Sequence, residues 1–191
     1  YVSLFARKKY WHVIKADKGQ LKRFTSPKER IIEKIEQLQC EEGTYVFEGQ
    51  AIPSEALAIY ITPNPRCNIK ATRLALVKCA ELIANGNVGY NIHQEVMSCV
   101  QRAKSRSVYL DFDFDTPECP DLSNILNRDS YKVIKTRGGF HILVQPDLVA
   151  KQYKQNFVQS IRKLGPDVTG DCLLPIPGTL QGGVEVQLIE P

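Results

Sequence analysis

The sequence lacks the long apolar segments that mark membrane and secreted proteins. No apolar run approaches the ~18 residues that a helix needs to cross a bilayer, and the first residues lack the apolar core of a secretory signal. We therefore expect an intracellular protein, cytoplasmic or nuclear, with no membrane partner. The chain does not begin with methionine and stops directly after an apolar stretch, so we also expect a fragment of a longer protein.

Metal sites built on cysteine and histidine are also unsupported. The six cysteines include no C-x-x-C pair, and none of them forms a zinc-finger pattern with the three histidines. The sequence has no His-x-His pair and no His-Glu-x-x-His. Cys79 and Cys99 lie in apolar segments, where a free thiol behaves as a small hydrophobic group. These observations favour reduced cysteines, with disulfide pairing as the alternative if the protein were secreted.

The bulk composition is that of an ordinary globular protein. Of the 191 residues, 43% are hydrophobic and 24% are charged, which is enough apolar content for one sizeable domain. The net charge of +4 is mildly basic. A basic surface attracts polyphosphates, but many enzymes without nucleic-acid partners have the same balance, so the charge alone selects no function.

Local patterns predict an α+β protein with antiparallel strands and helices packed on them. We expect strands at 10–15, 44–47, 56–62, 108–114, 131–136, 140–144 and 184–189. We expect helices at 26–39, at 69–84, around 92–100, in a short segment after the loop 116–120, and at 149–164.

The strand at 108–114 carries an unusual acidic pattern. Asp111, Asp113 and Asp115 alternate with Phe112 and Phe114. Alternate side chains share one face of a strand, so the carboxylates can converge while the phenylalanines pack into a core. Clustered carboxylates repel one another unless cations neutralise them. The pattern favours a two-metal site, and the alternative is a solvated polar face.

A second pattern is a glycine turn surrounded by cations and a histidine. It lies between two predicted strands, and its candidate nucleotide-binding residues are Lys135, Arg137, Gly138, Gly139 and His141. Glycine lets the backbone approach a ligand closely, and arginine suits bidentate contact with phosphate. The segment can hold a triphosphate, but it is also compatible with a plain hairpin that has a basic tip.

Three segments in order resemble the motifs of the archaeo-eukaryotic primase superfamily. They are Val108–Asp113, Gly139–His141 and Pro166–Asp167. The stretch 174–179 looks like the element that follows the third motif in primase-polymerases of viruses and mobile elements. Asn64-Pro65-Arg66 resembles a turn that precedes the acids in many members. The likeness extends from about residue 57 to 181, and the first fifty residues contribute nothing to it.

The resemblance implies a catalytic site and a fold. It implies that Asp111, Asp113 and Asp167 bind two Mg²⁺ or Mn²⁺ ions, and that His141 and Arg137 hold the nucleotide phosphates. It also implies an N-terminal α/β module, residues 1–105, and an RNA-recognition-motif-like module, residues 106–191, with the active site in the cleft between them.

The implied activity is template-directed nucleotidyl transfer, by a DNA primase, a DNA polymerase or both. The implied partners are a single-stranded DNA template, nucleoside triphosphates and a helicase domain on the same chain. Two alternatives remain open. One is a metal-dependent nuclease, since carboxylate pairs also serve phosphodiester hydrolysis. The other is a non-catalytic, single-strand-binding replication-initiation module.

The third acid has two candidates in the sequence. Asp167 follows the predicted helix 149–164 and suits the order of the motifs. Asp171 lies in Thr169-Gly170-Asp171-Cys172, which is typical of a turn, and aspartates in turns commonly cap their own backbone. The sequence therefore favours Asp167, with Asp171 as the alternative.

Overall fold

A computed structural model describes residues 1–12, 18–38, 44–87 and 89–190. Its strands are β1 (Val2–Arg7), β2 (Lys18–Phe24), β3 (Val46–Phe47), β4 (Gln50–Ala51), β5 (Leu57–Ile61), β6 (Leu110–Phe114), β7 (Tyr131–Lys135), β8 (Phe140–Val144), β9 (Val168–Gly170), β10 (Leu174–Pro175), β11 (Leu180–Gln181), β12 (Val184–Glu185) and β13 (Gln187–Ile189). Its helices are α1 (Ile31–Glu36), α2 (Asn68–Ala84), α3 (Ile92–Arg102), α4 (Lys151–Lys154) and α5 (Phe157–Arg162). Within these ranges, no helix has the length and apolar character to span a membrane.

The first sheet is built around β1 and β5. Its strand order is β12-β11-β5-β1-β2, with β10 also paired to β5, and all pairings are antiparallel. Because side chains alternate along a strand, Val2 and Leu4 of β1 enter a core that includes Ile35 of α1. Phe5 and Arg7 face the opposite side of the sheet, where they line a cleft.

The second sheet has the order β13-β7-β8-β6-β9 and is also antiparallel. On one face, Phe112 and Phe114 of β6 are almost fully buried against α5, which contributes Phe157 and Ile161 to the same core. Burial of one such aromatic side chain contributes about 1.5–3 kcal/mol. The alternation of β6 leaves its aspartates on the other face.

That other face is directed toward the first sheet. Ile134 of β7 packs in one buried cluster with Leu174 of β10 and Val186, and Ile61 of β5 packs against the same cluster. The predicted α+β class with antiparallel sheets is therefore confirmed. The division at residues 105 and 106 stays a prediction, and strands β10–β12 return from the second half of the chain to the first sheet.

Most of the strongly periodic elements are confirmed. The helix predicted at 69–84 is α2, the helix around 92–100 is α3, and the strand at 56–62 is β5. The hairpin predicted at 131–144 is formed by β7 and β8. The acidic strand begins at Leu110, two residues later than expected.

The predicted helix 149–164 and the predicted strand 184–189 are each interrupted. A turn at residues 155 and 156 separates α4 from α5, although Val149, Tyr153, Phe157 and Ile161 all pack in the same core. The chain also changes sheets at the buried Val186, so that β12 belongs to the first sheet and β13 to the second. A spacing of i, i+4 places apolar residues on one side but does not require an unbroken helix.

The N-terminal expectations were less accurate. Tyr10, expected in a strand at 10–15, lies in a turn in which its N–H donates to the carbonyl of Arg7 at 3.0 Å. Residues 13–15 lie outside the described residues, as does Gln39 of the predicted helix 26–39, whose α-helical part begins at Ile31 after a 3-10 turn. The strand at 44–47 is confirmed only at β3, and the short helix after residue 120 is a 3-10 turn at 128–130.

Candidate active site

A cleft of about 410 Å³ lies between the two sheets. The first sheet and the turn after β1 contribute Phe5, Arg7, Lys9 and Tyr60. The second sheet and its loops contribute Asp113, Asp115, Thr136, Gly138 and His141, and the remaining wall is formed by Gln101, Asp171, Cys172, Leu173 and Gln181. The cleft thus has carboxylates on one wall and cations on the other.

Asp111 and Asp113 share the cleft face of β6 but differ in accessibility. Asp111 is completely buried, whereas the side chain of Asp113 is 29% exposed. Asp115 follows at the end of the strand and is exposed. The three aspartates lie on the same side of β6, as predicted. Their exposure increases along the chain from Asp111 to Asp115.

His141 lies between the two aspartates. Strand β8 pairs with β6 so that His141 is directly across from Asp113. Its Nδ1 atom is 3.1 Å from both carboxylate oxygens of Asp111, and its Nε2 atom is 3.4 Å from Oδ1 of Asp113. Asp111 therefore orients the imidazole, and Asp113 is the acid of the pair that also reaches the cleft.

The electrostatics of this group couple the histidine to the acids. Burial alone lowers the pKa of His141, but the hydrogen bond to Asp111 and the charges of Asp111, Asp113 and Asp115 outweigh burial and raise the pKa above its ordinary value. Burial raises the pKa of Asp113, and the charges of Asp111, Asp115 and Asp167 raise it further, against the opposite effect of His141. A cation is favoured among these carboxylates.

Asp167 lies beside the acidic strand, immediately before β9. Its backbone N–H donates to the carbonyl of Asp113 at 2.8 Å, and its Oδ2 accepts from the backbone N–H of Asp115 at 2.8 Å. Asp167 is exposed and is not among the residues that line the cleft. One of its oxygens is therefore occupied in holding the end of β6.

Asp171 lines the cleft directly after β9. Its Oδ1 accepts from Nδ2 of Asn64 at 2.7 Å, and its Oδ2 accepts from Nη1 of Arg66 at 2.6 Å. The expectation that Asp171 caps its own turn is wrong. The short strand β9, which the sequence did not indicate, carries this carboxylate to side chains more than a hundred residues earlier.

Asn64 joins the acidic strand to the rest of this wall. Its Oδ1 accepts from the backbone N–H groups of Val108 and Tyr109 at 2.7 and 2.8 Å. Its Nδ2 donates to the carbonyl of Tyr109 at 2.9 Å as well as to Asp171. Asn64 is 2% exposed, so one buried amide uses four hydrogen bonds to connect β5, the start of β6 and Asp171.

The two glycines of the predicted nucleotide loop have different environments. A Cβ on Gly139 would lie 1.9 Å from the carbonyl oxygen of Phe114, so only glycine permits this approach of the hairpin to β6. A Cβ on Gly138 would lie 3.0 Å from Oδ1 of Asp115 and 3.9 Å from Nζ of Lys9. Gly139 therefore serves packing, whereas Gly138 lies in the wall of the cleft.

The two predicted phosphate-binding cations do not line the cleft. The pairing of β7 with β8 places Lys135 across from Phe140, on the opposite face from His141. The guanidinium of Arg137 lies 4.7 Å from the ring centroid of Tyr10 and donates to the carbonyl of Gly182. Arg137 therefore braces the hairpin against the turn after β1 and the turn after β11.

Several cleft residues were missed by the sequence analysis. Arg7, Lys9, Tyr60 and Gln181 come from segments that were not connected with a site. The alternation of polar Ser3 and Arg7 with apolar Leu4 and Ala6 was an available signal for β1.

Cys172 is a further cleft residue that the sequence did not indicate. Burial, followed by the charges of Asp111 and Asp113, raises its pKa to about 12, so its thiol stays protonated.

The donor atoms suit a hard divalent cation bound together with a ligand. In the described ranges, no group of three or more His, Cys, Asp and Glu side chains is arranged to hold a metal ion. The oxygens of Asp111 face His141, and those of Asp171 face Arg66 and Asn64. Mg²⁺ is commonly bound by one or two carboxylates plus substrate phosphates rather than by a cage of protein atoms. Asp113 and Asp115 on the cleft wall fit that arrangement.

Comparison of the chain with models of protein families, with curated proteins and with solved structures gave no match. Function must therefore be inferred from the site itself.

Proposed function

We propose that the chain is a template-directed nucleotidyltransferase, a DNA primase, a DNA polymerase or both, that uses Mg²⁺ or Mn²⁺. The observation that carries the proposal is the meeting of Asp111, Asp113 and His141 on one sheet face, where Asp113 and His141 line a cleft whose opposite wall is cationic. Metal-bound triphosphates need carboxylates and cations within one site. The order of the three motifs in the sequence supports the same activity.

In this proposal the protein groups position reactants and stabilise charge. Asp113, with Asp115 beside it, would hold the divalent ions, and the chemistry that such ions supply when bound is activation of a 3′-hydroxyl and stabilisation of the leaving pyrophosphate. Asp111 orients His141, which in its protonated form donates to a phosphate oxygen at the cleft wall. Gly138 lets the backbone approach the ligand closely.

The finer fold and the partners belong to the same proposal. The second sheet, with α4 and α5 on one face and the acids on the other, would be the RNA-recognition-motif-like module of an archaeo-eukaryotic primase core. The first sheet would belong to the N-terminal module. A single-stranded DNA template and nucleoside triphosphates are the proposed ligands, and a helicase domain is the proposed neighbour on the same chain.

The decisive experiment is extension of a labelled primer on a single-stranded template, in Mg²⁺ and in Mn²⁺, with ribo- and deoxyribonucleotides tested separately. Asp113→Asn should reduce incorporation by about a hundredfold or more, because it removes charge at the reacting centre. Asp129→Asn is the matched control, since Asp129 precedes β7 at the end of the sheet away from His141. Asp129→Asn should leave incorporation unchanged.

The same reactions separate the alternatives. Degradation of labelled single strands in Mg²⁺ without nucleotides would instead identify a metal-dependent nuclease. Binding of single strands without incorporation or degradation, unaffected by Asp113→Asn, would identify a non-catalytic module.

For the third acid, the cleft favours Asp171, whereas the sequence favours Asp167. We expect Asp171→Asn to lower the incorporation rate more than Asp167→Asn does, because only Asp171 lines the cleft. Both rates should be measured below the melting temperature of each variant, since Asp171 also pairs with the buried Arg66. A greater loss for Asp167→Asn would restore Asp167 as the third acid.

A further inference from the structure

The turn after β1 places two cations in the cleft, opposite the carboxylates. Arg7 is the last residue of β1 and shares the cleft face with Phe5. Lys9 follows in the turn, and its Nζ and Oδ1 of Asp115 both lie beside Gly138. The two side chains thus reach the same part of the cleft as the acidic strand from the other sheet.

Neither cation forms an ion pair within 4.0 Å of an acid in the part of the chain that the structure describes. The Nε atom of Arg7 is buried and has no hydrogen-bond partner. A buried donor without a partner is unfavourable, so this guanidinium is suited to an anionic ligand that enters the cleft.

Aromatic rings support both cations without using their donors. The guanidinium of Arg7 lies 5.8 Å from the ring centroid of Tyr60, and Nζ of Lys9 lies 5.2 Å from that of Tyr10. Such contacts orient a cation while its N–H groups remain available. Arg137, by contrast, has already donated to the carbonyl of Gly182.

We propose that Arg7 and Lys9, rather than Arg137 and Lys135, bind the terminal phosphates of a polyphosphate ligand in this cleft. The identification of that ligand as a nucleoside triphosphate rests on the proposed function. The planar guanidinium of Arg7 suits a bidentate contact with one phosphate, and Lys9 supplies a point charge at the exposed end. Asp113 and Asp115 on the opposite wall would then be available for a divalent ion bound to the same ligand.

Binding of inorganic tripolyphosphate, measured by calorimetry in Mg²⁺ buffer, tests the assignment without a base or a template. Arg7→Gln and Lys9→Gln should each weaken binding by about tenfold, as expected for loss of one charge-assisted contact. Lys22→Gln is the matched control, because Lys22 is exposed on β2 across from the core residue Leu4. It should bind as the unaltered protein does.

Further variants and ligands keep the result interpretable. Arg7→Lys preserves the charge but not the planar group, so it should recover part of the affinity if the fold is intact. Lys9 is exposed, and its replacement should not change the melting temperature. Arg137→Gln should lower the melting temperature, and it should weaken the affinity for tripolyphosphate less than Arg7→Gln does.

Unaltered affinity in both Arg7→Gln and Lys9→Gln would overturn the assignment, as would failure of the unaltered protein to bind tripolyphosphate. If the two variants lose single-strand binding but retain their affinity for tripolyphosphate, the assignment is also overturned, in favour of contacts to a nucleic-acid backbone.

If primers are not extended but tripolyphosphate binding depends on Arg7 and Lys9, the proposed function fails and the phosphate site stands. If primers are extended with an unchanged KM for nucleotide in both variants, the function stands and the phosphate site fails.

Discussion

Asp111 and Asp113 are two residues apart on one strand face, yet their environments predict different consequences of mutation. Asp111 is fully buried and both of its oxygens face Nδ1 of His141. Asp113 is partly exposed, and burial together with neighbouring acids raises its pKa. One carboxylate supports the local structure, whereas the other is held in an unfavourable environment that a ligand can relieve.

We therefore predict that Asp111→Ala destabilises the protein and that Asp113→Ala does not. Loss of Asp111 leaves a buried imidazole nitrogen without its partner, which costs about 1–3 kcal/mol. Loss of Asp113 removes a charge that repels Asp111 and Asp115, so the free energy of unfolding should change little. Urea denaturation of both variants in EDTA measures the difference. Equal destabilisation would contradict the role assigned to Asp111.

The pH dependence of stability in EDTA provides a second residue-scale prediction. The folded-state pKa of His141 is raised above its ordinary value of 6.5 by Asp111, Asp113 and Asp115 despite burial. Because this pKa is higher in the folded than in the unfolded protein, protonation of His141 stabilises the fold. The contribution is complete below pH 6.5 and is lost as the pH rises through the folded-state pKa. The contribution of His141 to the free energy of unfolding should therefore fall as the pH rises above 6.5, whereas the N-terminal amine, whose pKa burial and Arg66 lower from 8.0, contributes in the opposite direction below pH 8.0.

His141→Asn should flatten this decline, because asparagine does not titrate. The raised pKa of Asp113 acts in the same direction, but from its ordinary value of 3.8 upward, so a decline at lower pH should remain in this variant. The titration should stay below pH 9.0, the ordinary pKa of a thiol, to exclude Cys172. An unchanged slope in His141→Asn would show that other groups control the pH dependence.

At the scale of elements, the hairpin of β7 and β8 depends on one close approach. Gly139 lies against the backbone of Phe114, where a Cβ would be 1.9 Å from the carbonyl oxygen. This contact places the turn beside the end of β6. It thereby helps to set the register in which His141 is directly across from Asp113. The turn and strand β6 were each recognisable in the sequence, but their packing against each other was not.

Gly139→Ala should separate the turn from β6 and disturb both fold and site. Backbone must move to remove the overlap, and destabilisation of several kcal/mol, about 2–4, is expected for such overpacking. Gly138→Ala is the control. Its Cβ would lie 3.0 Å from a side-chain oxygen of Asp115, which can move, and 3.9 Å from Nζ of Lys9, which is an ordinary contact distance. Melting temperatures compare the two, and similar losses would mean that the turn tolerates displacement.

At the scale of the whole molecule, the two sheets are joined around the cleft by an apolar cluster and by Asn64. The apolar contacts among Ile134, Leu174 and Val186 stabilise the packing but do not fix the relative orientation of the sheets. Asn64 fixes this orientation, since its four hydrogen bonds connect the turn after β5 with Val108, Tyr109 and Asp171. The relative position of the acids therefore depends on a residue that touches none of the proposed ligands.

Asn64→Ala should lower both stability and nucleotide affinity. Removal of the amide leaves buried backbone groups without partners, at a cost of about 1–3 kcal/mol or more, and it removes one of the two side-chain contacts that hold Asp171. Asn127→Ala is the matched control, because Asn127 bonds the backbone at Leu148 and Ala150, away from the cleft. It should lower the melting temperature without changing the KM for nucleotide. A change in KM of similar size in both variants would contradict a positioning role for Asn64.

Sequence alone determined the elements whose signal is local. The alternation of aspartate and phenylalanine defined β6 and its two faces, apolar periodicity defined α2 and α3, and glycines between two apolar runs defined the hairpin. These predictions succeeded because each depends on the period of one strand or helix, or on the chemistry of one turn.

Only the tertiary structure decided which residues share the cleft. It brought Asp171 rather than Asp167 into the wall, moved Arg137 onto Tyr10, and placed Arg7 and Lys9 opposite the acids. Each of these outcomes follows from packing between segments far apart in the chain, such as Asp171 with Arg66. No local sequence pattern indicates that two such residues will be in contact. Their contact depends on the order of the strands and on the close approach of the two sheets.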